Sequence, residues 1–184
     1  MKTQALSVPD VVLFTPTVFG DDRGLFMESY NARAFAEATG CESQFVQDNH
    51  SKSQRGVLRG LHYQLPPHAQ GKLVRVTQGS AFDVAVDLRH DSPTFGKWVG
   101  VELNAKNRRL LWIPEGFAHG FLALDDNTNF LYKTTSYYHP GSENCILWCD
   151  PDIAIEWPLD NVTIDLNVSP KDMTGNTFSH AAFF

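Results

Sequence analysis

Short apolar runs broken by turn residues dominate the chain, and they predict a mainly β protein. V-V-L-F-T-P-T-V-F (11–19) and L-F-M-E-S-Y (25–30) read as strands, joined by the turn-like G-D-D-R-G at 20–24. N-A-R-A-F-A-E-A-T (31–39) is the clearest helix, with Asn31 placed to cap its start and Gly40 to end it. Further strands are predicted over 44–49, 57–64, 72–78, 81–88, 97–103, 109–113, 119–124 and 129–138, separated by Gly, Pro and Asn/Asp clusters. This spacing suits a sandwich or barrel and not βαβ units. The last forty or so residues read as mixed, with short turns beyond W-C-D-P-D-I-A-I-E-W-P (148–158). No linker, repeat or low-complexity segment interrupts the chain, so one domain over 1–184 is expected.

Alternation assigns faces. In F-L-Y-K-T-T-S-Y-Y (130–138), Phe130, Tyr132, Thr134, Ser136 and Tyr138 point the same way if the strand is regular. Tyr132 and Tyr138 would then stand roughly 20 Å apart, a span that suits a long ligand with different chemistry at its ends. In K-L-V-R-V (72–76), Lys72 shares a face with Val74 and Val76. It is either an edge residue that snorkels to solvent or a functional amine in a cavity.

Composition narrows the picture. Thirteen Phe and 42 % hydrophobic residues in 184 supply one sizeable core. A formal charge of −6 argues against general nucleic-acid or membrane-surface binding. Cys41, Cys145 and Cys149 are too few and odd in number for a disulfide framework. Cys145 and Cys149 would offer two zinc ligands, but no second Cys/His pair completes a site. No signal peptide and no run of about 18 apolar residues is present, so a cytoplasmic location is expected.

Charge is unevenly spread. From Asn49 to Phe82 there is no acidic side chain, yet the window holds Lys52, Arg55, Arg59, Lys72, Arg75, His50, His62 and His68. A basic window in an acidic chain suits an anionic ligand. A histidine inside it is a candidate for proton transfer.

P-E-G-F-A-H-G-F (114–121) has the form Pro-x-Gly-x-x-His and resembles the second signature of the cupin superfamily, a jelly roll or double-stranded β-helix. The His-x-His pair of metal-binding cupins is absent; the matching place reads His62-Tyr63-Gln64, and no Glu follows before Asp83. A metal held by His62, Gln64 and His119 would depend on a neutral amide, a weak ligand, so no metal is expected.

A more specific resemblance runs through nine stretches in order. They are D-D-R-G-L-F-M-E-S-Y (21–30), F-V-Q-D-N-H-S-K-S (45–53), G-V-L-R-G-L-H-Y-Q (56–64), G-K-L-V-R-V (71–76), F-D-V-A-V-D-L-R (82–89), S-P-T-F-G-K-W (92–98), I-P-E-G-F-A-H-G-F (113–121), Y-K-T-T-S-Y-Y (132–138) and S-P-K-D (169–172). Together they resemble the dTDP-4-dehydrorhamnose 3,5-epimerase family. The resemblance implies a cupin-type jelly roll with a few short helices. It also implies a 4-keto sugar substrate joined to thymidine diphosphate. Protons on the two carbons beside the ketone would leave to give an enolate and return on the other face. No cofactor is needed, and no Gly-rich dinucleotide loop is present.

The resemblance assigns His62 as base, with Asp172 on its other ring nitrogen to fix the tautomer. Tyr132 would be the acid on the opposite side. Lys72 would place its charge at the enolate oxygen. His119 would line the same pocket as a hydrogen-bond donor. Arg59 would contact the diphosphate, whose oxygens match its fork of donors, helped by Gln47, Asp48 and Asn49. Tyr138 would stack on thymine, and Glu143 and Lys171 would assist binding. Arg23, Phe26 and Glu28 would reach the nucleotide from a neighbouring subunit, which makes a homodimer the expected assembly. From the residues alone, His62 and His119 could equally be structural histidines, Tyr132 a core tyrosine, and Glu143 and Lys171 solvated charges.

One feature resists strict alternation, which puts Arg59 and His62 on opposite strand faces. A bulge at Gly60 or a subunit boundary across the site would reconcile them. Rival functions are a single-site epimerase, a metal-dependent cupin enzyme and a non-catalytic sugar-nucleotide-binding module.

Overall fold

The computed structural model describes residues 1–42, 44–162 and 166–184. Its strands are β1 (Lys2–Ala5), β2 (Val12–Thr15), β3 (Val18–Asp21), β4 (Gly24–Met27), β5 (Gln47–Ser53), β6 (Val57–Gln64) and β7 (Lys72–Gln78). They continue with β8 (Ser80–Asp87), β9 (Trp98–Asn104), β10 (Leu110–Ile113), β11 (Phe117–Ala123), β12 (Thr128–Thr134), β13 (Glu143–Cys145) and β14 (Asn167–Val168). Two α-helices are described, α1 (Ala32–Thr39) and α2 (Pro170–Met173).

Two sheets face each other, as a jelly roll requires. The first has the order β1-β2-β10-β7-β12-β5; the second runs β13-β6-β11-β8-β9, with β14 added in parallel beside β6. Alternation supplies the core between them. Leu13, Val74, Val76, Leu111, Ile113 and Phe130 of the first sheet meet Ala81, Ala85, Val99, Leu103, Phe117 and Phe121 of the second. Phe121 and Phe130 stack across the gap with ring centroids 4.1 Å apart.

Each outer face is also covered. On the first sheet, Val12, Phe14, Leu73, Leu110 and Trp112 pack against Phe35 of α1, whose ring meets Trp112 edge-on at 4.8 Å. The helix begins and ends as the sequence predicts. Asn31 Oδ1 accepts from the Ala34 amide at 3.1 Å, and Gly40 takes the left-handed conformation at φ 68°. On the second sheet, Leu58, Leu61, Tyr63 and Val86 pack under the C-terminal segment, including Ile146, Trp157 and Phe178. That cover brings α2 beside β6.

The predicted strands over 57–64 and 72–78 coincide with β6 and β7. Three differences carry physical content. The run 11–19 divides into β2 and β3 around Pro16 and Thr17, since β2 pairs with β1 and β10 whereas β3 pairs with β4 alone. The predicted strand 129–138 ends at Thr134, the last residue of β12 to pair with β5 and β7. The β3–β4 hairpin stands apart from both sheets, with Phe19, Leu25 and Phe26 exposed by 61, 53 and 70 %.

Candidate active site

One end of the space between the sheets is hollow. The cavity, of about 240 Å³, is lined by β5, β6, β7, β11 and β12 and by the segment after β12. Arg59, His62, Lys72, His119 and Tyr132 all reach it within one chain. Arg59 and His62 share it because β6 carries a bulge. Arg59 pairs with Phe121 and His62 with His119, so the register slips by one residue between them. Gly60 occupies the bulge at φ 117°, and a Cβ there would lie 2.6 Å from Gly120 Cα. Only glycine fits this approach, and the bulge turns His62 to the face that Arg59 already occupies.

His62 is held from below. Its Nε2 lies 2.6 Å from Asp172 Oδ1, which leaves Nδ1 as the nitrogen available to a substrate. Asp172 sits on α2, whose start Ser169 caps by accepting from the Asp172 amide at 3.2 Å. The Gly60 amide points at the other carboxylate oxygen at 3.4 Å. Burial alone would raise the Asp172 carboxyl, but the hydrogen bond and charge of His62 and the Gly60 amide outweigh it and hold it below its ordinary range.

Lys72 is buried beside Val74 and Val76 on the inner face of β7, and its Nζ donates to the His62 carbonyl at 3.1 Å. Burial pushes its ammonium down to about 8, partly opposed by Asp83 and Glu143. The snorkelling alternative is thereby corrected: the amine points into the cavity, away from bulk water.

His119 forms a second dyad. Its Nε2 lies 2.6 Å from Asp83 Oδ1, with both residues buried. Burial pushes the Asp83 carboxyl up and the His119 imidazole down, each toward its neutral form and against their mutual attraction. Asp83 Oδ2 is buried with no hydrogen-bond partner among the described residues. Sequence reasoning overlooked Asp83. The available signal was a carboxylate at an inward position of the apolar strand F-D-V-A-V.

Tyr132 reaches the cavity from β12 on the first sheet, opposite His62 on the second. It packs near Phe130, and its hydroxyl makes no hydrogen bond among the described residues. Burial raises its phenol above the ordinary range, with the Arg59 charge acting the other way.

The mouth is polar. Tyr138 Oη donates to Glu143 Oε2 at 2.8 Å, and Lys171 Nζ lies 2.5 Å from that same carboxylate. Gln47 and Asn49 face inward from β5, and Gln47 Oε1 accepts from the Tyr138 amide at 3.0 Å. Asp48 does not join them. Alternation turns it outward, where it pairs with Lys133 at 2.9 Å. Arg23 and Phe26 lie on the detached hairpin, where Arg23 pairs with Asp21, and Glu28 follows the hairpin and accepts from Asn31. The cavity wall of this chain therefore lacks all three.

In the metal set His62, Gln64 and His119, the amide is already committed on both of its atoms, and each histidine already has one ring nitrogen engaged. Gln64 Nε2 donates to the His68 carbonyl at 2.6 Å, its Oε1 accepts from the His139 amide, and His62 and His119 spend Nε2 on carboxylates. Cys149 is exposed while Cys145 is buried, so these two do not act as a pair.

Comparison with known proteins decides the family. The family model described as dTDP-4-dehydrorhamnose 3,5-epimerase matches residues 5–180. The chain belongs to the dTDP-4-dehydrorhamnose 3,5-epimerase family. It is 59 % identical to the family's enzyme from Pseudomonas aeruginosa, over all of this chain and 99 % of that protein. A Legionella pneumophila epimerase solved with dTDP-4-keto-L-rhamnose superposes with TM-score 0.93 at 47 % identity, covering 98 % of this chain and 94 % of that one. A 3′-monoepimerase from Streptomyces bikiniensis, solved with dTDP-quinovose, reaches TM-score 0.87 at 34 % identity, covering 95 and 86 %. The family's cupin-like jelly roll is the fold seen here, and the chain is an epimerase, an isomerase of dTDP-sugars.

Proposed function

We propose that this protein, as a single domain spanning 1–184, converts dTDP-4-dehydro-6-deoxy-D-glucose to dTDP-4-dehydro-L-rhamnose by inverting carbons 3 and 5. The observation that carries the residue roles is the placing of His62, backed by Asp172, on one wall and the unpaired Tyr132 phenol on the other. His62 takes the proton from the carbon beside the ketone. The electron pair moves onto the ketone oxygen, where the Lys72 ammonium and His119 stabilise the enolate. Tyr132 returns a proton to the opposite face of that carbon, and bulk solvent restores both groups. The same cycle serves the second carbon.

Arg59, at the rim, takes the diphosphate with help from Gln47 and Asn49. Tyr138, held by Glu143, presents its ring to thymine, and Lys171 adds charge beside it. The active assembly is a homodimer in which Arg23, Phe26 and Glu28 reach the partner's nucleotide. The detached, apolar β3–β4 hairpin supports that arrangement. Among the described residues no helix is long and apolar enough to cross a membrane, and we place the enzyme in the cytoplasm.

Exchange with deuterated solvent tests the reading. Wild-type protein labels carbons 3 and 5 of the 4-keto sugar, and His62→Ala nearly stops labelling. Unchanged turnover in that variant removes His62 as the base. Label at one carbon alone favours a single-site epimerase, a reading kept in view by the likeness to the Streptomyces bikiniensis monoepimerase. Light scattering that finds an active monomer removes the dimer.

A further inference from the structure

His62 has a third neighbour that the epimerisation does not use. On β13, Cys145 stands directly opposite His62 across the strand pair, just as His119 does on the other side. The Cys145 Sγ lies 3.9 Å from Asp172 Oδ1. His62, Cys145 and Asp172 each offer one ligand atom, and all three atoms lie within 4.8 Å of one another.

We propose that this trio is a binding site for soft divalent cations, and that its occupation switches the enzyme off. Imidazole, thiolate and carboxylate form a mixed donor set of the kind that holds zinc or cadmium. In a tetrahedral zinc site with bonds of about 2.0–2.3 Å, neighbouring ligand atoms stand roughly 3.3–3.7 Å apart. Here the His62–Asp172 separation of 2.6 Å must widen and the Cys145–Asp172 separation of 3.9 Å must shrink slightly. A small rotation of His62, which is partly exposed to the cavity, supplies the first change and the route of entry. The Cys145 thiol releases its proton to solvent as the sulfur–metal bond forms. A fourth position stays open on the trio.

The consequence for catalysis is electrostatic. In the free enzyme Asp172 neutralises the imidazolium that forms when His62 takes a proton. A divalent cation on Nε2 breaks that contact and fixes positive charge on the ring before any proton arrives. Nδ1 is then a poor base. The binding claim stands on geometry alone; the inhibition claim rests on His62 and Asp172 acting as proposed above.

Cadmium is the probe. Titration of the purified protein, followed by ultraviolet thiolate-to-metal charge transfer, should show one equivalent bound through sulfur. Deuterium labelling of the 4-keto sugar should stop over the same titration and return on adding a chelator. Cys145→Ser and Cys145→Ala should each lose the charge-transfer band and bind at least about 100-fold more weakly. They should keep epimerising at cadmium concentrations that silence the wild type. Cys149→Ser should behave as wild type, and dTDP binding checks that each variant is folded. The proposal is overturned if both Cys145 variants are inhibited as strongly as the wild type. It is equally overturned if cadmium binds through Cys145 while labelling continues. A protein that never labels the sugar, with cadmium still bound through Cys145, would fail the functional reading instead.

Discussion

The two His–Asp dyads share one contact distance and differ in almost everything else. His62–Asp172 and His119–Asp83 are both 2.6 Å pairs, and their histidines sit side by side on β6 and β11. Their carboxyls nevertheless move in opposite directions. Asp172 is held down because His62 and the Gly60 amide both stabilise its anion. Asp83 is pushed up because it is fully buried, and burial outweighs the His119 and Lys72 charges that favour its anion. The His62 side chain is 31 % exposed at the cavity, whereas His119 is buried. Hydrogen-bond length alone therefore does not set the role of a dyad. The number of donors on the carboxylate and the access of solvent divide a pair suited to proton transfer from one suited to presenting a fixed hydrogen bond.

Removing the cavity's histidines and its lysine tests that division most severely. His62→Ala should lower kcat by about 10²–10⁴-fold and abolish solvent labelling, the span expected for loss of a general base. An equal loss of labelling in His119→Ala would erase the distinction. Lys72→Met should cost about 10²–10³-fold in kcat, as expected for one donor at a developing oxyanion.

The wild-type pH profile sharpens the same point. Turnover should fall as pH rises through about 8, where the buried Lys72 ammonium loses its proton. A profile that stays flat through this range would detach Lys72 from the enolate. The linked effect on stability has the opposite sign. Between about 8 and 10.5 the unfolded chain holds a proton on Lys72 that the folded chain lacks, so this group makes folding more favourable as pH rises.

The carboxylates offer a gentler comparison. Asp172→Asn should lower kcat by about 10–100-fold, because an amide cannot neutralise the imidazolium or fix the tautomer. Asp83→Asn should cost less than about 10-fold, because burial already favours the neutral form of Asp83. Reversed magnitudes would mean that the buried dyad is the base. Away from both dyads, Tyr138→Ala should raise KM about 10-fold and leave kcat nearly unchanged. Stacking on a base is worth about 1–3 kcal/mol and acts equally on ground and transition states.

Local pattern made much of the fold legible. Period-2 apolar runs bounded by Gly and Pro located β6, β7 and β10, and cap residues located α1. Alternation placed Lys72 with Val74 and Val76, as the structure does. The same rule failed wherever a strand leaves its ideal path. It separated Arg59 from His62 because a bulge is a property of the pairing with β11, not of β6 alone. It carried Tyr138 along a strand that ends at Thr134. The short strands β1, β13 and β14 carry too little apolar periodicity to be seen, and they exist because β2 and β6 offer them an edge.

Residue types and their spacing by themselves determined most of the longer strands and α1, and that a local positive field exists in an acidic chain. Their order also carried the family. The resemblance placed Asp172 against His62, and the structure brings them together across 110 positions; tertiary structure alone decided that Asp83 meets His119 within the buried core. It decided too that Asp48 turns away from the cavity while Gln47 and Asn49 turn in. Burial and charge contacts are set by which distant segments pack together, and no local pattern encodes the shifts in proton affinity that follow.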